Sequence, residues 1–364
     1  MRKIVTLLAL CCSVCLAHAQ GKITLTTQKE LNSGYWSIEL KANEADRASI
    51  WIDWNNNGSK DDGESEIDFR YGTSAEITSQ TVTVYGNITS LKVPDMSLTA
   101  VDIVTAPQLE NLDLRSNKLT TVDLSQATRL KKVQLNKNSS LANLTLPTGG
   151  LVHLEEFAAI GCDLSHLDLT ASSAIRTLEI IENKRLTQID LSNCTALESL
   201  DVSKCALSQL KMSSHPNLTD INCSENKLTT LDLSQAPELI ELWCYGNDLT
   251  RLQIPTTATL VTIKCYNNRL DGTAMRKLIS LLPQTTDPDA TLYGINLEIG
   301  APEYNVIWKQ DVNTAKGKGW QVLARKNRYE DIPYEGSDET ATPQNPYQTT
   351  LPQIQLTRTS SGEP

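Results

Sequence analysis

Leu109–Arg129 reads LENLDLRSNKLTTVDLSQATR, and Leu218–Glu238 reads LTDINCSENKLTTLDLSQAPE. The two stretches share one frame, L-x-x-L-x-L-x-x-N-x-L-x-x-L-x-L, and the same frame can be laid from Ile88 to Leu270. It gives nine units, beginning at Ile88, Leu109, Leu130, Leu154, Ile175, Leu197, Leu218, Leu239 and Leu260. Most are 21 residues long; the unit from Leu130 has three more and the unit from Ile175 one more. The fourth position is apolar throughout: Leu91, Leu112, Val133, Phe157, Leu178, Leu200, Ile221, Leu242, Ile263. The eleventh is leucine throughout, from Leu98 to Leu270. A repeat of this length marks a solenoid, in which no unit buries its apolar face alone.

Positions four and six alternate with polar residues, which predicts a short strand with one buried face. Stacked in parallel about 4.8 Å apart, nine such strands extend on the order of 40 Å. Position nine is Asn at 117, 138, 183, 226, 247 and 268. A buried Asn there can bond to backbone groups where the chain leaves the strand. This is a leucine-rich repeat pattern. The expected fold class is an α/β repeat solenoid, a leucine-rich repeat horseshoe of about nine 21-residue units. An N-terminal β cap and a C-terminal α/β cap would close its ends.

The phrases LTTVDLSQATRL and LTTLDLSQAPEL resemble the internalin-type bacterial leucine-rich repeats. Position six is Cys in three successive units, Cys223, Cys244 and Cys265, which is similar to the internalin J-like, cysteine-ladder subgroup. The resemblance covers roughly half of the chain. It implies an adhesin-like protein that binds a macromolecule and does no catalysis. It departs after the repeats, where the immunoglobulin-like domain and wall anchor usual in that family have no counterpart. Leu146–Gly149 lies inside the repeats, so the mode of surface attachment stays open.

Composition narrows the function classes. The chain has 364 residues, 40% hydrophobic but only 5% aromatic, so its core must be aliphatic. Net charge is −10, which argues against nucleic acid or an anionic membrane as partner. Arg2 and Lys3, the apolar run Ile4 to Leu16 and the small-x-small Ala17-His18-Ala19 predict a signal peptide over 1–19. A lipid-anchored lipoprotein is the alternative, although no small-residue box precedes Cys11, Cys12 or Cys15. The expectation is an exported protein, extracellular or at the cell surface (the periplasm being possible), with no membrane span. The six remaining cysteines (162, 194, 205, 223, 244 and 265) fall on inward positions of the repeat and read as free thiols rather than disulfides.

Residues 20–87 lie outside the frame and alternate like strands, predicting the β cap. Within them, Asp53 to Glu64 reads DWNNNGSKDDGE and satisfies D-x-N-x-N-G-x5-E. Asp53, Asn55, Asn57, Ser59, Asp61 and Glu64 would supply oxygens to a structural Ca2+. The alternative is an Asn/Gly-rich hairpin loop with solvated charges. After the repeats, helices are expected over 273–282 and 305–316, with strands over 290–295 and 320–323, making a cap over 271–325. Residues 326–364 are polar, with Pro at 333, 343, 346, 352 and 364, and are expected as a disordered tail.

Positions three, five, seven and eight face the hollow side. The middle units place Glu156, Glu179, Glu182 and Asp201 there; the last two place Glu241, Trp243, Tyr245, Lys264 and Tyr266. Exposed aromatics with a charged rim are the chemistry of binding hot spots. The alternative is that the cap covers them. No Ser-His-Asp arrangement, phosphate loop or H-E-x-x-H appears, so enzyme activity is not expected. The expected partner is an extracellular protein or glycan. Self-association as a biofilm or envelope scaffold is the alternative, and an inhibitor or accessory role beside a secreted enzyme is a weaker third.

Overall fold

The computed structural model describes residues 21–256 and 259–339. The expected signal peptide and the end of the expected tail, 340–364, lie outside them. The described chain is a coil of short, parallel-stacked strands. One sheet of fourteen strands forms the hollow side. Its centre is nine three-residue strands: 90–92, 111–113, 132–134, 156–158, 177–179, 199–201, 220–222, 241–243 and 262–264. They occupy positions three to five of each unit and pair in parallel without a register slip, Leu91 with Leu112, Leu112 with Val133, and so on to Leu242 with Ile263. The longer units disturb nothing here, because their extra residues sit in the returns. The fourth-position column is at most 2% exposed and the eleventh-position leucines at most 1%, so both form the core.

On the opposite face three small parallel sheets pair 121–123 with 143–145, 188–190 with 209–211, and 230–232 with 251–253. The D-L-S segment that follows turns tightly because the Asp carboxylate accepts the N–H two residues on, as Asp123 does from Ser125 and Asp232 from Ser234.

The position-nine asparagines do what the spacing suggests, across units. Asn247 Oδ1 accepts the Leu228 N–H (3.0 Å), while its Nδ2 donates to the carbonyls of Cys223 (3.0 Å) and Cys244 (3.1 Å). Asn138, Asn183, Asn226 and Asn268 repeat the pattern. Each therefore bonds the eleventh-position N–H of the unit before it. Two units carry Cys at position nine instead. Cys162 Sγ–H reaches Leu135 O (3.3 Å) and Cys205 Sγ–H reaches Ile180 O (3.1 Å), replacing part of the donor work. Neither has an amide oxygen to receive the preceding leucine. That N–H is satisfied locally: Leu141 bonds Asn138 O (2.9 Å) and Leu186 bonds Asn183 O (3.0 Å). These are the units with a residue added between Asn and Leu, and the added residue makes that turn.

Position eight is left-handed in all nine units. Asp95, Ser116, Lys137, Glu182, Lys204, Glu225 and Asn267 have φ between 50 and 62°, and Gly161 and Gly246 φ of 64 and 67°. The chain needs this reversal to leave the strand, and seven side chains accept the steric cost.

At the N-terminal end, strand 35–41 pairs antiparallel with 90–92, and 73–76 pairs with 35–41. A second antiparallel sheet orders 51–53, 81–85, 22–27 and 98–105. Trp36 fills the space under these strands, fully buried, with its N–H on Ser79 O (3.1 Å). At the other end, helix α1 (Gly272–Leu281) is capped by Asp271 and followed by strand 291–296, helix α2 (Lys309–Gly317) and strand 321–327. α2 starts later than expected because Asn305 is diverted into the core. It receives the Leu270 N–H (2.8 Å) and donates to Cys265 O and Gly294 O, continuing the asparagine ladder beyond the repeats.

Residues 326–339, expected as part of a tail, are instead part of the cap. Strand 330–333 folds back on 321–327, Ser337 bridges to Trp308, and Glu335 and Glu339 pair with Lys316 and Arg276. Alternation is weak in this segment because it is an edge, with only one neighbour to bury against.

Candidate functional site

The hollow face carries its side chains in vertical columns. Position five runs Glu179, Asp201, Asn222, Trp243, Lys264 and then Tyr293 of the cap strand, each in register with the next. Position three runs Thr177, Ser199, Asp220, Glu241 and Thr262. The columns bring Trp243, Lys264 and Tyr293 together: Lys264 Nζ lies 4.3 Å from the Trp243 ring and 5.3 Å from the Tyr293 ring. Such a cation held between two aromatic faces stiffens all three side chains.

The five residues expected at a binding patch separate into two groups. Glu241, Trp243, Tyr245 and Lys264 are part-exposed on the face. Tyr266 is not available: it is 4% exposed, stacked on Tyr245 at 4.8 Å, and its hydroxyl accepts a bond from Arg325 (2.8 Å). Here the cap covers the repeat. Burial raises the Tyr266 phenol to about 12, against the opposing charge of Arg325. Tyr293 takes the surface place that Tyr266 was expected to hold. It lies outside the frame, and only the parallel continuation of the sheet reveals it.

Beside Trp243 lies a notch of about 160 Å³, lined by Ser199, Asp201, Asp220, Asn222, Glu241 and Trp243. The Trp243 N–H is buried and has no acceptor among the described residues. Asp201 accepts bonds from the Asn222 amide (2.9 Å) and the Ser203 N–H (2.9 Å), which fixes its orientation.

The loop over Asp53–Glu64 is well built. Asp53 receives the N–H groups of Asn57 (3.0 Å) and Gly58 (2.9 Å), and Glu64 those of Trp54 (3.0 Å) and Asp61 (2.9 Å). Asn55 Oδ1 accepts from Asn57 N–H and Asn57 Oδ1 from Ser59 N–H. The Asn55 and Asn57 amides both converge on Asp61, at 2.8 and 2.7 Å. The Asn55 and Asn57 oxygens are thus taken up by backbone N–H groups while their amides face Asp61. No cluster of three or more His, Cys, Asp or Glu side chains placed to hold a metal ion is found among the described residues.

All six described cysteines are free. Cys223, Cys244 and Cys265 stack in adjacent rungs, fully buried. Burial raises Cys223 to about 12, raises Cys244 and Cys265 too, and raises Cys162, Cys194 and Cys205 to about 11. Thiols with so little thiolate are packing groups, not nucleophiles. Sequence reading overlooked Glu303, 7% exposed, which closes the last rung. Its carboxylate accepts the N–H groups of Asn267 (2.8 Å), Asn296 (2.7 Å) and Asn305 (2.8 Å), and burial raises it to about 7 against those bonds.

Stacked parallel strands, asparagine and cysteine ladders and capped ends define a leucine-rich repeat solenoid, and solved internalins are among the structures it is similar to. The functional domain of InlJ from Listeria monocytogenes, described as including a cysteine ladder, is 27% identical over 63% of this chain, with a TM-score of 0.45. This chain covers 47% of that one, about half its length. A Leptospira interrogans leucine-rich repeat protein is 18% identical over 61% of each chain, TM-score 0.41. An internalin, InlF, from L. monocytogenes is 16% identical over 64% of this chain and 79% of that one, TM-score 0.40. No protein-family profile and no curated protein sequence matches the chain. No described helix is long and apolar enough to cross a membrane.

Proposed function

We propose that this is an exported, adhesin-like binding module that holds a protein partner against the hollow face of its last repeats. The observation that carries the reading is the Trp243–Lys264–Tyr293 column, part-exposed on the hollow face beside the point where the cap covers Tyr266. Aromatic groups pre-ordered by a cation lose little entropy on binding, the condition that hot-spot residues meet. The Asp53–Glu64 loop lies in the N-terminal cap, so its proposed role is to brace that cap. An array of extracellular proteins and glycans, probed with the wild-type protein and with Trp243→Ala, with and without chelator, tests the reading. Protein ligands lost in Trp243→Ala support it. Ligands that bind both forms alike, or glycans alone, overturn it.

A further inference from the structure

Ion pairs run along the flanks and also over parts of the hollow face, where Lys132 meets Glu156 and Lys204 meets Glu182, but four carboxylates near Trp243 stand outside them. Along the flanks, acids meet bases from the neighbouring unit: Glu110 with Lys131, Asp163 with Arg185, Asp190 with Lys211, Glu198 with Arg176, Asp248 with Arg269. On the hollow face, Glu179, Asp201, Asp220 and Glu241 form no ion pair with any described residue. They are also placed against one another. Glu179 is in direct register with Asp201, and Asp220 with Glu241. Adjacent strands lie about 4.8 Å apart, and like charges directly opposite destabilise a sheet. Of these four, Asp201, Asp220 and Glu241 line the notch beside Trp243, and Glu179 stands in the next rung beyond it.

Resting on the reading of this face as a binding surface, we infer that the notch receives a basic side chain, an arginine or lysine of the partner protein. Asn222 and Lys264 flank Trp243 in register, so Lys264 occupies the side of the indole away from the notch. A guanidinium entering the notch stacks on the remaining side and meets Asp201, Asp220 and Glu241 at its edges. Charge-assisted bonds of this kind are about twice as strong as neutral ones, and the planar group suits arginine best. The incoming charge also cancels the repulsion within each acidic pair.

The test uses fluorescein-labelled peptides of alternating glycine with arginine, lysine, glutamate or serine, titrated into the full chain at low and high salt. The arginine peptide binds tightest, the glutamate and serine peptides do not saturate, and high salt weakens the complex. Asp201→Asn with Asp220→Asn weakens arginine-peptide binding by about tenfold, whereas Glu198→Gln on the flank leaves it unchanged. Trp243→Phe, which keeps an apolar ring, retains part of the affinity, and Trp243→Leu loses more. Equal binding of arginine and serine peptides, or no effect of the paired Asn substitutions, overturns the inference. Repeating the array with the paired Asn variant separates the two readings. Ligands lost with Trp243→Ala but kept by the Asn variant refute a basic partner and leave the binding face standing. Ligands indifferent to both refute the face itself.

Discussion

Replacing Asn247 with cysteine reproduces a substitution that the chain already makes twice, and the outcome should differ because its surroundings differ. At Cys162 and Cys205 the missing amide oxygen is not missed, since Leu141 and Leu186 turn back onto Asn138 O and Asn183 O. The unit before Asn247 has no added residue, and Leu228 N–H depends on Asn247 Oδ1 at 3.0 Å. Asn247→Cys therefore leaves one buried N–H without an acceptor and one of two carbonyls, Cys223 O or Cys244 O, without its donor. At about 1–3 kcal/mol for each unmet buried group, the cost of the two is about 2–6 kcal/mol. Cys205→Asn, whose neighbour is already satisfied, should change stability by less than about 1 kcal/mol. Urea unfolding followed by circular dichroism gives the global effect. Hydrogen exchange of the Leu228 amide gives the local one, which matters because repeat arrays can lose cooperativity. Protection of that amide should fall by about a hundredfold, in line with the loss of roughly 3 kcal/mol. If Asn247→Cys stays within experimental error of wild type while Leu228 remains protected, the account of why cysteine is permitted at only some position-nine sites is wrong.

Glycine at position eight should stabilise: Glu225→Gly gains up to about 1 kcal/mol in thermal melts, and Gly161→Ala, where no atom lies within 4 Å of an added Cβ, loses about as much through its φ of 64° alone. Calcium should raise the melting temperature of the N-terminal cap, a rise that chelator reverses and Asp61→Asn reduces; identical melts with calcium and chelator would remove the ion from the loop. Glu303 has its carboxyl raised from 4.5 to about 7 by burial. A raised folded value means its contribution is full below about pH 4.5 and is lost as pH rises through about 7. Stability between pH 5 and 8 should therefore decline by about 3 kcal/mol, and Glu303→Gln should flatten that part of the curve.

What was legible in the sequence was whatever recurs. The leucine columns, the asparagines, the cysteine stack and the strands at positions three to five all follow from a period, because the same environment is rebuilt every 21 residues. Position eight recurs equally well in structure yet was read only as a surface position. Its constraint lies in φ, which Asp, Ser, Lys, Glu, Asn and Gly all satisfy here, so no residue type marks it. Asn305 and Glu303 were invisible for another reason. They complete the last rung from a loop that is 35 residues beyond Leu270, where no frame predicts them. Tyr266 was placed on the correct face, but whether that face is open there depends on Arg325, a residue of the cap. Periodicity assigns a side chain to a face; the non-repeating ends decide whether it meets solvent.

Asp201 serves the fold through its bonds to Ser203 and Asn222, but nothing in the fold calls for a second acid opposite each member of these columns, and that opposition points to function. A flank ion pair contributes about 0–1 kcal/mol, so pairing the four carboxylates would have cost the fold nothing. Leaving them opposed costs a comparable amount. Asp220 is exposed and its side chain accepts a bond from the neighbouring Thr219 hydroxyl, so Asp220→Asn removes charge and little else. This change should stabilise the protein by about 0.2–1 kcal/mol, the value of relieving a like-charged cross-strand pair. The gain should shrink at high salt, since both groups lie near water. Asn at position 220 should at the same time weaken the arginine-peptide complex. A variant that is both more stable and a poorer binder would locate the repulsion and the recognition in the same carboxylates. A variant that is less stable at every salt concentration would mean that Asp220 serves the fold, and the argument from unpaired charge would fail.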